Sequence, residues 1–472
     1  MADPINLEGI DVPHVLDDQA LRDWISVQRW YASKSRSISG IDIVENVVLR
    51  EEPLLLLTLA QTRFATGTHE LYQLLLSLHP GSAPAEQEDS ASSAVIATVD
   101  GFAVRDALAE PRQAGELLRR IRGSDEIETP EGCFSFHCVD PGVDVGDEVS
   151  ARMMGVEQSN SSVVFDDRLV LKVFRKLEPG VNPELEMLRF LGSHGYEHIA
   201  PLQGWYEYEG HALSSTLGVA QTYLPDAVGG WELALEEIAS DPERFLDRLG
   251  SLGAVTAEMH NVLASDAGDP AFSPEEPSQE ALSLLTATID EDIERIFVRL
   301  PDDDRVSPIA GRGQDVRERL AARSQIGAGG RVIRTHGDYH LGQTLSTPAG
   351  WVIIDFEGEP ARPLPERRQK RSALRDVASM LRSFAYAASA AEILNGRPAP
   401  EGFELLARNR FLDQYFATVD ATLLPAGEAA IANLLAIFEL EKAIYELQYE
   451  LNNRPDWVAI PVAGIRRLLE ET

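Results

Sequence analysis

The stretch from Thr335 to Glu359, THGDYHLGQTLSTPAGWVIIDFEGE, constrains the fold more than any other part of this chain. Trp351, Val352, Ile353 and Ile354 form an apolar run of β type that ends directly in Asp355-Phe356-Glu357. Asp338 stands where an earlier extended run ends. Carboxylates at the tip of a buried strand are costly unless a cation or a substrate meets them. Phosphoryl transfer has that need: one carboxylate accepts the proton of an attacking hydroxyl, and another holds the Mg²⁺ that neutralises nucleotide phosphates. Asp338 is the candidate base, although Tyr339-His340-Leu341 could also make it a plain helix cap.

The rest of the chain supplies the frame. Asp17 to Trp30 is amphipathic, with Leu21, Trp24, Ile25 and Val27 on its apolar side, and β-like runs follow at 41–49, 54–59 and 71–78. The polar segment HPGSAPAEQEDSASSA then reads as a linker. QRWYASKSR clusters aromatics with cations, as core aromatics beside a solvated turn or as a functional edge. Residues 156–165 and 169–174 read as a hairpin turning at Asp166-Asp167-Arg168, Asn182-Pro183-Glu184 starts a helix, and 219–224 is a short strand. Beyond Pro225 the pattern is helical at 231–238, 242–264, 279–300, 316–324 and after Leu374, with 265–278 and 301–313 as surface loops. The expected domains are a cap over 1–92, a β-rich lobe over 93–224 and a helical lobe over 225–472.

Bulk properties exclude several classes. A net charge of −34 leaves no basic field for nucleic acid or an anionic membrane. No apolar run reaches the ~20 residues of a membrane span, and the N-terminus lacks a signal-peptide pattern, so a cytoplasmic protein is expected. Cys133 and Cys138, with His137 between them, lack the ligand count of a metal site and read as buried or half-buried thiols.

HGDYHLGQ, followed by Asp355-Phe356-Glu357, resembles the catalytic and metal-binding motifs of kinase-like small-molecule phosphotransferases such as the aminoglycoside and choline kinases. The longer match, with IDFEGEPARPLPERR and LRDVASMLRSFAYA, is similar to the bacterial maltokinases, which make maltose 1-phosphate from maltose and ATP. The resemblance implies an α+β, two-lobed protein-kinase-like (aminoglycoside-phosphotransferase-like) fold with an N-terminal α/β cap and a mainly helical C-terminal lobe. It also implies ATP as co-substrate, Mg²⁺ as cofactor, a small sugar as acceptor, and a metabolic partner enzyme that converts trehalose to maltose.

On that resemblance, Lys172, the odd residue in the apolar alternation LVLKVF, contacts the α- and β-phosphates and is held by Glu186 on the following helix. No G-x-G-x-x-G loop is present; Ser159, Asn160 and Ser161 stand in a turn that could close over phosphates, and Gln221 to Tyr223 would be the adenine hinge. Gln343 occupies the place of the relatives' Mg²⁺-binding asparagine, Asp355 is the second ligand, and Glu357 holds a second ion or substrate. His336 and His340 could pair on zinc, but no third ligand is evident, and structural hydrogen bonding by His336 is favoured. Arg362, Arg367 and Arg368 read either as a phosphate-reaching cluster or as a solvated loop.

The acceptor is expected on FELEKAIYELQYELNNRPDW. At helical spacing Lys442, Tyr445, Glu446, Tyr449 and Asn453 make one polar–aromatic stripe, with Glu450 beside it and Trp457 projecting beyond Pro455. The reading is a maltose kinase acting at the anomeric hydroxyl. The nearest rival is a glucosamine kinase making the 6-phosphate, with Glu446 or Glu450 meeting the amine. An aminoglycoside phosphotransferase fits less well, and a pseudokinase would predict erosion of Lys172, Asp338 or Asp355, all of which are present.

Overall fold

The computed structural model describes residues 18–80, 95–99, 102–140, 150–155, 159–324 and 329–470. Most of the polar linker, and Val156, Glu157 and Gln158 of the expected phosphate turn, lie outside the described residues. Two compact units make up the chain. One runs to Glu186 and includes Ala200–Pro225; the other comprises Met187–Ile199 and the chain from Asp226 onward.

In the first unit, helix α1 (Asp18–Val27) buries Leu21, Trp24 and Ile25, whereas Val27, expected on the same face, is 72% exposed at the helix end. Strands β1 (Ile38–Arg50), β2 (Leu54–Phe64), β3 (His69–Pro80), β4 (Val95–Val99) and β5 (Phe102–Asp106) form an antiparallel sheet in the order β1-β2-β3-β5-β4. The sheet therefore continues past residue 92 to Asp106. Four consecutive leucines suit a strand only when both faces are covered, because side chains alternate. Leu54 and Leu56 join Trp24 and Ile25 in one core, and Leu55 and Leu57 join the opposite one.

That opposite core is shared with a seven-stranded sheet. It follows helix α2 (Gly115–Gly123) and contains β6 (Glu126–Glu128), β7 (Gly132–Cys138), β8 (Ala151–Met153), β9 (Asn160–Phe165), β10 (Leu169–Phe174), β12 (Leu202–Gly210) and β13 (Ser214–Thr222), ordered β6-β7-β12-β13-β10-β9-β8. The short β11 (Lys176–Leu177) pairs instead with β3, and helix α3 (Pro183–Ser193) follows it. The β9–β10 hairpin turns where expected, with Asp166 and Asp167 at φ +49° and +51°, the left-handed pair of a type I′ turn. Polar side chains join the two sheets as well. Gln73 donates to the carbonyls of Phe174 and Leu217, and buried Arg175 pairs with Asp106 at 2.7 Å. Cys133 and Cys138 are free and half-buried.

The second unit is mainly helical. Strand β14 (Val228–Gly229) precedes helices α4 (Gly230–Ser240), α5 (Pro242–Leu263), α6 (Gln279–Phe297) and α7 (Gly313–Arg323). Strands β15 (Thr344–Thr347) and β16 (Gly350–Ile353) pair antiparallel and join β14. Helices α8 (Leu364–Arg367), α9 (Leu374–Asn395), α10 (Phe403–Thr418), α11 (Glu428–Asn453) and α12 (Ala459–Glu470) complete it. Ile289, Val316, Ile444 and Ile465 place α6, α7, α11 and α12 around one core. The two expected surface loops are only partly on the surface: Val306 and Ile309 are buried in a helical core, and buried Phe272 stacks on Phe190 at 3.7 Å between ring centres. Among the described residues no helix is long and apolar enough to cross a membrane.

Candidate active site

Strand β16 carries its apolar run inward, with Trp351 and Ile353 buried, and delivers Asp355 at its end. Asp355 has φ +64°. A non-glycine residue in the left-handed region is strained and persists only where its surroundings hold it, often at functional sites. Gln343 is one restraint. Its Nε2 donates to Asp355 Oδ2 at 3.0 Å, and its carbonyl accepts from Ile354 N–H at 3.0 Å.

Asp338 lies on a loop held from two sides. The buried carboxylate of Asp376, in the first turn of α9, accepts from His336 N–H at 2.7 Å and from Gly337 N–H at 3.0 Å. Gly337 has φ +86°, which brings two successive N–H groups onto one carboxylate and which a side chain would resist. His336 Nε2 bonds the Ile354 carbonyl at 3.0 Å, and its Nδ1 accepts from Asp338 N–H at 3.4 Å, a pattern that puts the ring proton on Nε2. His336 thus ties the Asp338 loop to the strand end that carries Asp355. Behind Asp376, His260 Nε2 lies at 3.3 Å from the carboxylate and its Nδ1 at 3.0 Å from the Tyr415 hydroxyl. Burial pushes the Asp376 carboxyl up, but the His260 hydrogen bond and charge and the Gly337 N–H outweigh it and hold the group below the usual carboxylate range.

The Asp338 carboxylate has one neighbour at each oxygen. Lys442 Nζ of α11 is 3.6 Å from Oδ1, and His340 Nε2 is 3.9 Å from Oδ2. His340 caps the short 3₁₀ turn Leu341–Gln343, its Nδ1 accepting from Gly342 N–H at 3.1 Å. Burial pushes the His340 ring down, with Asp338 pulling it up and Lys442 pushing it down again. Glu357 offers its carbonyl to Arg367 at 3.2 Å, and Glu359 pairs with Arg362 at 2.6 Å. The oxygen set of Gln343, Asp355 and Glu357 fits a hard divalent cation such as Mg²⁺, which takes one or two carboxylates and keeps sites for phosphate. His336 is engaged on both ring nitrogens, so a zinc pair with His340 does not form.

In the first unit, Lys172 is the odd residue of β10, as read from its alternation, since Leu171 and Val173 enter the core. Its ammonium pairs at 2.7 Å with Glu184, two residues before the expected Glu186 on the same helix. Asn182 Oδ1 accepts from Glu184 N–H at 2.8 Å, so the helix starts as predicted, but Glu184 lies in its first turn facing β10. Glu186, at 100° per residue, is rotated about 200° from Glu184 around the helix. Ser159 is exposed, whereas Asn160 and Ser161 are buried. The Ser161 hydroxyl accepts from Arg175 at 2.8 Å and is occupied in the buried Arg175–Asp106 pair. Gln221 turns its amide onto the Ala200 carbonyl at 3.1 Å, and Tyr223 N–H is taken by Arg168 O at 2.7 Å.

The acceptor stripe on α11 divides in two. Tyr445 and Tyr449 are exposed, on the side that carries Lys442. Glu446 is buried on Arg382 at 2.6 Å, and Glu450 is buried with Arg454 at 2.6 Å and the Tyr386 hydroxyl at 3.2 Å. Spacings of three and four drift around a helix, so the two carboxylates turn toward α9 while the tyrosines remain outside. Asn453 is exposed and donates to the Tyr449 carbonyl at 2.8 Å. Trp457 lies parallel to Tyr386 at 6.3 Å between ring centres, and the Arg454 guanidinium lies 4.9 Å from the Trp457 ring and 5.3 Å from Tyr449. Glu184, Asp376, His260 and Arg382 were given no role from sequence. Only Asp376 had a local signal, as the acidic residue of LRDVASMLRSFAYA ahead of a strongly apolar helix.

A profile of the maltokinase N-terminal cap domain matches residues 24–109, and one of the phosphotransferase enzyme family matches residues 150–359. Residues 150–359 belong to the phosphotransferase enzyme family. The chain's cap is of maltokinase type, and the protein is an enzyme of this class. Among curated proteins it is similar to the glucosamine kinase of Mycolicibacterium smegmatis, 28% identical over 68% of this chain and 80% of the relative. It is also similar to that of Streptacidiphilus jiangxiensis, 26% identical over 73% and 78%. A glucosamine kinase crystal form shares the fold with a TM-score of 0.71 at 19% identity, covering 98% of this chain and 100% of that one. The complex of a glucosamine kinase with glucosamine, ADP and inorganic phosphate gives 0.67 at 19% identity, covering 95% and 99%. The phosphotransferase-like kinase fold with an N-terminal cap expected from the motifs is therefore the fold of this chain.

Proposed function

We propose that this phosphotransferase is an ATP-dependent, cytoplasmic sugar kinase that phosphorylates the anomeric hydroxyl of maltose. Asp338 accepts the hydroxyl proton as the acceptor oxygen attacks the γ-phosphorus in line, and the backbone anchoring by Asp376 and His336 supports that assignment most directly. Gln343 and Asp355, with Glu357, would hold Mg²⁺, which offsets phosphate charge when bound. Lys172, oriented by Glu184, contacts the nucleotide phosphates, and Ser159 stands in the turn before β9. Tyr445, Tyr449 and Trp457 supply aromatic faces for sugar rings, and Asn453 an amide for hydroxyls.

Glucosamine is the second reading, favoured by the names of the curated relatives. One observation supports maltose over it: both carboxylates suited to an ammonium group, Glu446 and Glu450, are already buried against arginines. An ADP-release assay with Mg·ATP against maltose, glucosamine, glucose and kanamycin, with product position read by phosphorus NMR, separates them. An anomeric phosphate of maltose is expected. Turnover of glucosamine alone to a 6-phosphate would retain the kinase and discard the maltose assignment. Asp355→Ala should raise the Mg²⁺ concentration for half-maximal rate by at least about tenfold, as loss of a metal contact does; an unchanged Mg²⁺ titration removes Asp355 from the ligand set.

A further inference from the structure

The Asp338–Lys442 pair has a consequence for the transfer step, which rests on the reading of Asp338 as the base. Lys442 sits on α11, the helix that bears the exposed tyrosines, and reaches back to Asp338 Oδ1 at 3.6 Å. Its nearest acidic neighbour one turn on, Glu446, is engaged by Arg382 through Nε and Nη2 at 3.0 and 2.6 Å. Glu359, the other carboxylate that acts on it, is paired with Arg362. Asp338 is thus the counter-ion least shared with another cation. A lysine is a point charge on a flexible four-carbon stem, suited to moving between two anions a few ångströms apart.

During transfer, the acceptor O–H bond breaks and its proton goes to Asp338. The acceptor oxygen bonds to the γ-phosphorus of the nucleoside triphosphate. The bond from that phosphorus to the β–γ bridging oxygen breaks, and its electron pair leaves with the nucleoside diphosphate. Asp338 ends neutral, and a dianionic phosphate ester appears on the acceptor oxygen whose hydroxyl had been hydrogen-bonded to it. The ammonium of Lys442 then faces a neutral acid and a new dianion. We infer that Lys442 is the acceptor-side cation of the reaction, paired with Asp338 before transfer and passing to the transferred phosphoryl group as Asp338 takes the proton. This role differs from a sugar-hydroxyl contact, which would act on acceptor binding alone.

The test uses the full chain with Mg·ATP and whichever of maltose or glucosamine the product assay identifies. Lys442→Met should lower kcat by about 10²–10³-fold, the usual effect of losing one charge-stabilising donor, with KM for sugar and nucleotide changed by less than about threefold. Lys442→Arg, which keeps the charge, should recover at least about tenfold of that loss. A Lys442→Met enzyme that reaches the parent kcat at saturating sugar, with only KM raised, would show a sugar contact and overturn the inference. Equal kcat losses in the Met and Arg variants would also overturn it, because charge would then be irrelevant. Lys442→Gln serves if the Met variant fails to fold. Asp338→Asn run in parallel separates the two ideas. Full activity there removes the base itself, whereas an inactive Asp338→Asn beside a fully active Lys442→Met removes only the lysine's role.

Discussion

Replacing Asp338 with Asn should lower kcat by about 10²–10⁴-fold, the range for loss of a positioned general base, while Mg·ATP binding is retained. The amide has nearly the shape of the carboxylate, so the loop need not move. Its neighbours still matter. Lys442 would lose its counter-ion at Oδ1 and His340 a charged partner at Oδ2, so a modest change in acceptor KM is expected beside the fall in kcat. Nucleotide affinity, read by fluorescence or calorimetry, should stay within about threefold, since the phosphate contacts assigned to Lys172 and the Mg²⁺ ligands are untouched. An Asp338→Asn enzyme of full kcat would leave the active-site assignment without its base.

The second large effect is expected at Asp376, which touches no reacting atom in the proposed chemistry. Asp376→Ala leaves the buried N–H of His336, and the N–H of exposed Gly337, without their acceptor. At about 1–3 kcal/mol for an unsatisfied buried donor, the fold should lose roughly 1–3 kcal/mol through His336. The loop would also lose one of its two anchors, and a shift of about 1 Å at a base can lower turnover by about 10²-fold. Thermal unfolding and kcat measured together check both. A variant with the parent melting temperature and kcat would mean that His336 alone holds the loop. The pH dependence has a definite sign. A carboxyl held below its usual range contributes stability that is present above its unfolded pKa and lost as pH falls through its folded value. Acid unfolding should therefore be less steep for Asp376→Asn than for the parent chain, over the range below about pH 4.

Much of the placement of these side chains was legible because it depends on local pattern. A β-type run ending in Asp-Phe-Glu places Asp355 at a strand tip in any fold that buries the strand, and the alternation in LVLKVF separates Lys172 from the core. The contact of Lys172 with Glu184 was not legible, because it depends on the rotation of the following helix about its axis relative to β10. The same limit governs α11. Three- and four-residue spacings grouped Lys442, Tyr445, Glu446 and Tyr449 as one stripe, yet Arg382 and Tyr386 draw Glu446 and Glu450 inward from a helix far away in sequence.

The cap boundary failed for a related reason. The linker composition marked a break in the chain, but strand pairing ignores such breaks, and β4 and β5 return across it to extend the cap sheet. By itself, the amino-acid sequence determined the order of elements, the carboxylates at the end of β16 and in the HGDYHLGQ loop, and membership of a phosphotransferase class. Those features follow from side-chain periodicity and short motifs, which act over a few residues. Only the tertiary structure decided which charges meet. Asp376 on the His336-Gly337 backbone, Lys442 on Asp338 and Arg382 on Glu446 each join residues 39 or more positions apart, and contacts of that range depend on how helices rotate and pack.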